Sequence, residues 1–463
     1  MNAADAPVQP HLSKVALPIV GEFLLGISVA MAGLYMASHT SDAAAGAFGL
    51  AQQVQESLAV LFRILAIGLG VMVTQYLGGM RPQEAKQTAY TGLAASTWVG
   101  ALAALWLLAG GTVTLDALNA PEAVRPIATV YMMLLAPAML LEVYNLTMAS
   151  VLRAHLLARE SLFVMFVMHG CHLAGAWLLM RGVGDWPGWG LNGYAVAWFF
   201  SRLLGLGLHL RFWRLRLGLQ PKWGHWWRTP MRVLAPVLRI GLPGAALEFC
   251  YRMAFMVSLA ATARLGVESL ATHSYLLQIL KYVLLISLSV GWACEIMVGR
   301  LVGAGQFLQA DITVRKGVRY GLMASGGLAL VAAALAPWLM QMFTRDPAIM
   351  AMATTLLWLS VILELGRVFN LVVIGALRAT GDVHYPVLAS VPSLLLILAG
   401  GSYWWGRHWG LTGIWLAYIA DECLRGGLMW WRWHRRGWLT HAQLTLRGMR
   451  PLAKQKPEGP CDQ

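Results

Sequence analysis

Apolar runs long enough to cross a bilayer recur twelve times along this chain, and they leave it one architecture, a bundle of membrane-spanning helices. Crossing about 30 Å of hydrocarbon takes roughly 20 mainly apolar residues in helical form. Such runs lie at 15–38, 49–78, 88–112, 124–150, 161–181, 189–211, 240–264, 273–300, 319–343, 348–377, 385–403 and 409–431. Lipid offers no hydrogen bonds, so each run must satisfy its own backbone as a helix. With 58% hydrophobic and 12% charged residues, the composition excludes a soluble enzyme of this length. Pro18, Pro137 and Pro243 fall inside spans, where neighbouring groups can satisfy the freed backbone. The expected fold is an all-α integral membrane protein.

The opening "MNAADAPVQPHLSK" carries one Lys and leads into an apolar run that no small-residue cleavage site closes, so the first span is expected to be retained. Cys171, Cys250, Cys294, Cys423 and Cys461 are too scattered for a zinc site or a disulfide framework, and neither a metal nor a resident cofactor is expected. Orientation follows the cations, because cytoplasmic loops are enriched in Lys and Arg. Of 35 Lys and Arg residues, 24 lie in the N-terminal segment, the C-terminal tail and the loops after even-numbered spans, against five in loops after odd-numbered spans. Both termini are therefore expected in the cytoplasm. The connection after the sixth span, "RFWRLRLGLQPKWGHWWRTPMRVLAPVLR", has seven cations and no acid. Beside Trp223, Trp226 and Trp227 these cations suit anionic headgroups better than nucleic acid, so membrane lipids are expected partners and nucleic acid is not.

The chain also repeats itself. "VMVTQYLGGMRPQEAKQTA" from Val71 returns as "IMVGRLVGAGQFLQADITV" from Ile296. A shift of 225 residues places Pro18 on Pro243, Gln53 on Gln278, Gly78 on Gly303, Ala85 on Ala310, Asn145 on Asn370 and Arg153 on Arg378; after a five-residue slip "WGLNG" at Trp189 meets "WGLTG" at Trp409. Six spans per half is an even number, so both halves enter the membrane alike and are related by a pseudo-two-fold axis along its normal, a plan used by secondary transporters. The expected organisation is an N-terminal cytoplasmic segment (1–14), an N-lobe of spans 1–6 (15–211), a basic linker (212–239), a C-lobe of spans 7–12 (240–431) and a basic cytoplasmic tail (432–463).

"ALPIVGEF" and "GLPGAALEF" opening spans 1 and 7, "TQYLGGMRPQEA" and "VGRLVGAGQFLQA" closing spans 2 and 8, "LGVESLATHSYLLQI" entering span 8 and "VVIGALRATGDVHYP" leaving span 10 together resemble the multidrug and toxic compound extrusion (MATE) transporters, over about residues 14–430. The resemblance implies a twelve-helix antiporter of the bacterial inner membrane. It would export amphipathic organic cations or drugs in exchange for sodium or protons by alternating access between two lobes, as a monomer and without enzymatic activity. Gly78, Gly79, Gly303 and Gly305 are expected to let the backbone turn sharply, and Arg153 and Arg378 to anchor at headgroups or cap helix C-termini. No phosphate-cradling loop is present, so ATP is not expected to drive transport directly.

Within a membrane the charged residues inside the spans carry the chemistry, since each costs roughly 2.5–3.5 kcal/mol at the centre of a lone helix. The acids are Glu22, Glu56, Glu142, Glu248, Glu295, Glu364, Asp421 and Glu422; the bases are Arg63, Arg202, Arg252, Lys281, Arg367 and Arg425. Three positions change sign between the halves: Glu56 corresponds to Lys281, Glu142 to Arg367 and Arg202 to Glu422. Equivalent residues near a pseudo-two-fold axis approach each other, so these are expected to pair across the lobes in one state of a transport cycle. The competing arrangement pairs each charge within its own half, as the spacings Glu248/Arg252 and Glu364/Arg367 allow.

Against the resembled family, the acid implied midway along span 1 is absent, with Gly33 in its place; in spans 7 and 10 the implied acids fall on Tyr251 or Arg252 and on Arg367, with Glu248 and Glu364 one turn earlier. Glu248 and Glu364, then Glu142 and Glu22, are the expected ion or proton carriers, because a carboxylate in a low-dielectric cavity can exchange a proton near neutrality. Arg252 and Arg367 leave open an anionic or lipid-linked substrate, exported or flipped. Asn145, Asn370, Gln53 and Gln278 are expected to be polar residues of the cavity or hydrogen bonds between helices. His169 and His172, with His155 nearby, lack an acidic partner and are read as packing rather than metal ligands.

Overall fold

The computed structural model describes residues 11–118, 120–182 and 184–449; residues 1–10 of the N-terminal segment and 450–463 of the tail, with Cys461, lie outside them. The first six membrane helices are α1 (Leu12–Ser38), α2 (Asp42–Gly78), α3 (Pro82–Ala109), α4 (Arg125–Ala154), α5 (Ala158–Arg181) and α6 (Leu191–Leu217). The second six are α7 (Met231–Ala263), α8 (Val267–Gly303), α9 (Phe307–Gly321), α10 (Pro347–Thr380), α11 (His384–Ser393) and α12 (411–434), followed by α13 (Trp438–Met449). Helix α9 runs on through a π-helical turn, Leu322–Gly326, into Gly327–Ala334; α11 runs on through a second π-helical turn, Leu394–Gly400, as far as Gly410. Among the described residues ten helical stretches are long and apolar enough to cross a membrane. Twelve spans result because Gly410 (φ 59°, ψ −144°) divides the stretch His384–His434, and because α6 completes the N-lobe although Asn192 and Arg202 interrupt its apolar run.

Local chemistry sets the helix ends. The Ser41 side chain accepts from Ala44 N–H to start α2, Asp346 accepts from Ala348 and Ile349 N–H to start α10, and Pro82 and Pro347 sit in first turns where a missing N–H costs nothing. The span expected at 319–343 begins earlier, at Phe307, because the polar turns around Arg315 and Lys316 are helical too. The repeat extends to the backbone: left-handed residues recur at Met80 and Gly305 (φ 56° and 72°), Leu156 and Gly381 (64° and 90°), and Gly190 and Gly410 (52° and 59°). Of the four glycines expected to turn the chain, only Gly305 has a positive φ. Gly78 and Gly303 are the last residues of α2 and α8, and their role is close packing.

The lobes meet along helices at the pseudo-two-fold axis. Helix α2 packs on α8, and the symmetric contacts α1 with α8 and α7 with α2 flank them. At the end of the bundle that carries the linker and the Lys- and Arg-rich loops, termed the basic end, the contact is tight. A Cβ on Gly78 would strike the backbone of Arg300, and one on Gly303 the carbonyl of Gln75, two contacts that exchange under the 225-residue shift. Gly68 meets the Val237 carbonyl and Gly241 that of Ile64 in the same way, and Gln75 Nε2 donates to Ala379 O at 2.8 Å. Val71 to Gln75 are all buried in succession. Toward the other end of the same helices Gln53, Gln278 and Lys281 are exposed.

Candidate functional site

Helices α2 and α7 face each other near mid-membrane with a four-charge ladder. Arg63 of α2 pairs with Glu248 of α7, Arg252 of α7 with Glu56 of α2 at 3.2 Å, and Arg252 with Glu248 at 3.8 Å. All four are partly exposed, so they line the open side of the inter-lobe cleft. Lys281 is not the partner of Glu56; its ammonium donates to Gln278 at 3.2 Å, and Glu56 is taken by Arg252 and Gln52. Gln53 is exposed.

The remaining sign-swapped positions form pairs within their lobes, in mirrored order. In the N-lobe Glu142 of α4 binds Arg202 of α6; in the C-lobe Arg367 of α10 reaches Glu422 of α12 at 3.6 Å. The inter-lobe pairs expected from the repeat are thus not formed in this state, because each guanidinium has an acid one helix away. Asn145 holds the α4/α6 contact, donating to Leu141 O and Arg202 O and meeting His209 Nδ1 at 2.9 Å. Glu22 and Arg153 form a buried pair at 2.7 Å under Trp292, and Glu295 binds Arg378 at 2.8 Å. The two repeat arginines therefore lock helices together inside the bundle instead of anchoring at headgroups. His169 and His172 are buried on α5, and no group of three or more potential metal ligands occurs among the described residues.

The C-lobe concentrates charge. Glu364 and Arg367 of α10 and Asp421, Glu422 and Arg425 of α12 are all at most 8% exposed. Arg367 lies 3.1 Å from Glu364, and Arg425 lies 2.6 Å from Asp421 and 3.1 Å from Glu422. Asn370 donates to Glu422 at 2.8 Å. Both π-helical turns serve this cluster. Ser325, inside the first, and Ser287 of α8 converge on one oxygen of Glu364, and Ser393, at the threshold of the second, donates to Asp421 at 2.7 Å. Such turns shift the register of a helix and recur at functional sites. Sequence reasoning missed Asp421 and Arg425 as site residues, although their i,i+4 spacing was visible; the serines gave no signal, since their role depends on the π-helical turns and on helix packing.

A two-lobed bundle with internal repeats, tightly closed at one end, and with charges buried at mid-membrane and at the lobe interface defines a membrane transporter of the repeat-swapped class. The MatE family model matches the chain twice, over residues 18–178 and 243–404, and the chain belongs to that family. It is 27% identical to the uncharacterized transporter YisQ of Bacillus subtilis over 442 residues, covering 95% of this chain and 97% of YisQ. It is 22% identical to the probable multidrug resistance protein NorM of Thermotoga maritima, covering 94% and 96% of the two chains. Among solved structures, an outward-facing conformation of a multidrug resistance MATE family transporter of the MOP superfamily superposes with a TM-score of 0.84 at 15% identity, covering 93% of this chain and 96% of that one.

Proposed function

We propose that the protein is a proton-coupled antiporter of the bacterial inner membrane that exports amphipathic organic cations or drugs while its lobes rock about the α2/α8 axis. The concentration of Lys and Arg supports a cytoplasmic basic end with both termini there, so the state described is closed inward and open outward. The coupling reading is carried by a charge count: three buried carboxylates, Glu364, Asp421 and Glu422, face two guanidiniums, Arg367 and Arg425. A buried charge without a counter-charge is costly, so one monovalent cation balances the cluster. Both oxygens of Glu364 are already engaged, one by Ser287 and Ser325 and the other by Arg367. That arrangement leaves Glu364 no free oxygen for sodium, which needs a shell of oxygens in place of its water, and the surplus charge is met by a proton on one of the three acids.

Organic cations would meet Glu56 and Glu248 in the outward cleft, exchanging with the guanidiniums that hold those acids now. The relatives described as probable multidrug resistance proteins support this substrate class. A single chain supplies both lobes, so a monomer suffices. A second reading, export or flipping of an anionic or lipid-linked substrate, is favoured by Lys281, which has no carboxylate partner among the described residues. The test is uptake of a fluorescent organic cation into inside-out proteoliposomes under separate proton and sodium gradients, with Glu364→Gln alongside. Proton-driven uptake that the variant abolishes supports the proposal; sodium-driven uptake, or uptake of anions alone, overturns it.

A further inference from the structure

Apart from Ser390 Oγ on α11, three buried side chains of the C-lobe carry polar atoms without hydrogen-bond partners among the described residues: both ring nitrogens of His273, the Tyr418 hydroxyl and Asn370 Oδ1. A buried, unsatisfied polar group costs about 1–3 kcal/mol, and ordered water is its usual partner. These atoms form a descending series. His273 lies in the second turn of α8, at the end opposite the basic one, and its ring is 6.2 Å from that of Tyr418 on α12. Tyr418 precedes Glu422 by one helical turn on the same face, and Asn370 is already bonded to Glu422. The other groups facing His273 are Phe255 of α7 and Trp415 of α12, neither of which titrates; on its own helix the nearest acid in sequence is Glu268, on an exposed turn. The Tyr418 hydroxyl faces Ser258 of α7, itself bonded to Ser402, and among the described residues the charge that reaches it is that of Arg367, beside Tyr251.

The repeat-equivalent positions of the N-lobe do not carry this series. Shifted by the repeat, His273 falls on Phe48, packed on Tyr194 at 5.2 Å, and Tyr418 falls on Trp198. At these two positions, then, only the lobe that holds the odd carboxylate has groups able to pass a proton, although the N-lobe places a buried imidazole of its own, His172 of α5, 4.5 Å from Tyr194. We propose that His273 and Tyr418, bridged by water, form the path along which the coupling proton reaches the Glu364/Asp421/Glu422 cluster from the outward side. The inference rests on the proton-coupled reading above. One ring nitrogen of His273 takes a proton from outside water while the other gives its own to the bridging water. Tyr418 oxygen accepts from that water as its hydroxyl proton moves on to a carboxylate, so every group ends with the protons it began with and the acid gains one.

The test uses the full chain in proteoliposomes with His273→Phe, which installs the residue of the N-lobe repeat, and Tyr418→Phe, which removes one oxygen from a packed ring and keeps the test available should the first variant not fold. Both are expected to keep wild-type cation binding and cation-for-cation exchange, neither of which needs net proton movement, and to lose tenfold or more of proton-driven uptake. Equal loss of exchange and of driven uptake would mark a packing role and overturn the path. Wild-type driven uptake in both variants, with Glu364→Gln inactive, would overturn the path and leave the coupling site standing. If Glu364→Gln is active as well, the coupling site falls and the path with it.

Discussion

Met80 shows how far a repeat can constrain a single residue. It occupies a left-handed conformation at φ 56°, where the other half has Gly305 at 72°. For a residue with a Cβ that conformation costs about 1–2 kcal/mol, and the corner keeps it because the following helix must start at Pro82. Met80→Gly should therefore raise stability by about 1 kcal/mol, read as a higher melting temperature of the solubilised protein with transport unchanged. Gly78 and Gly303 tell the opposite story, since the sequence showed them as turn residues and the structure uses them where two backbones touch. A glycine's need for φ and its need for space leave the same letter in a sequence, and only the packing separates them.

Among elements, the lobes are built alike and charged in reverse. The pairs Glu142–Arg202 and Arg367–Glu422 join the same two helices in each lobe, which explains why equivalent positions differ in sign without clashing. Reversing Glu142 to Arg alone should leave like charges together and destabilise the protein, by less than the roughly 3–5 kcal/mol of a fully buried pair because Glu142 is half-buried; adding Arg202→Glu, which copies the C-lobe order, should restore most of the loss, as thermal melts of the two variants would show. Twelve spans, the repeat offset and the list of charges within the spans were legible from apolar run length and from rare polar residues at constant spacing. Which charge met which was not, because the Cα trace of a lobe, its π-helical turns and the tilt of α6 against α4 decide that, and no period in the sequence encodes them. The linker is a further case. Read as a basic run near headgroups, it also docks on the N-lobe: His225 stacks on Tyr90 at 4.0 Å and Gln220 N–H donates to the Tyr90 hydroxyl at 2.9 Å. Burial, then the charges of Lys222 and Lys86, hold the His225 imidazole below its ordinary range. The docked linker thus binds fewer protons than a released one, so docking is complete above about pH 6.5 and weakens as pH falls below it. Hydrogen-exchange protection of residues 219–227, corrected for intrinsic rates, should drop between pH 7.5 and 5.5, and His225→Phe should remove the pH dependence.

For the whole molecule, the account has one seal and one coupling site in different places. The seal is the glycine contact at the basic end, where Gly303 meets the Gln75 carbonyl. Gly303→Val should leave each lobe folded and disfavour the closed end by about 1–3 kcal/mol, a shift of about 5- to 150-fold toward the opposite state. A Thr74→Cys reporter inside the seal would then be alkylated faster from the basic side. The proposed coupling site is the C-lobe cluster, where three acids meet two arginines, and the central proposal is that substrate and proton compete through it. The most direct measurement counts protons: an organic cation is added to purified protein in weakly buffered detergent, and the release is followed with a pH indicator. The account predicts about one proton released per cation bound, with Glu364→Gln binding the cation and releasing none. Binding that depends on sodium and moves no proton would contradict it.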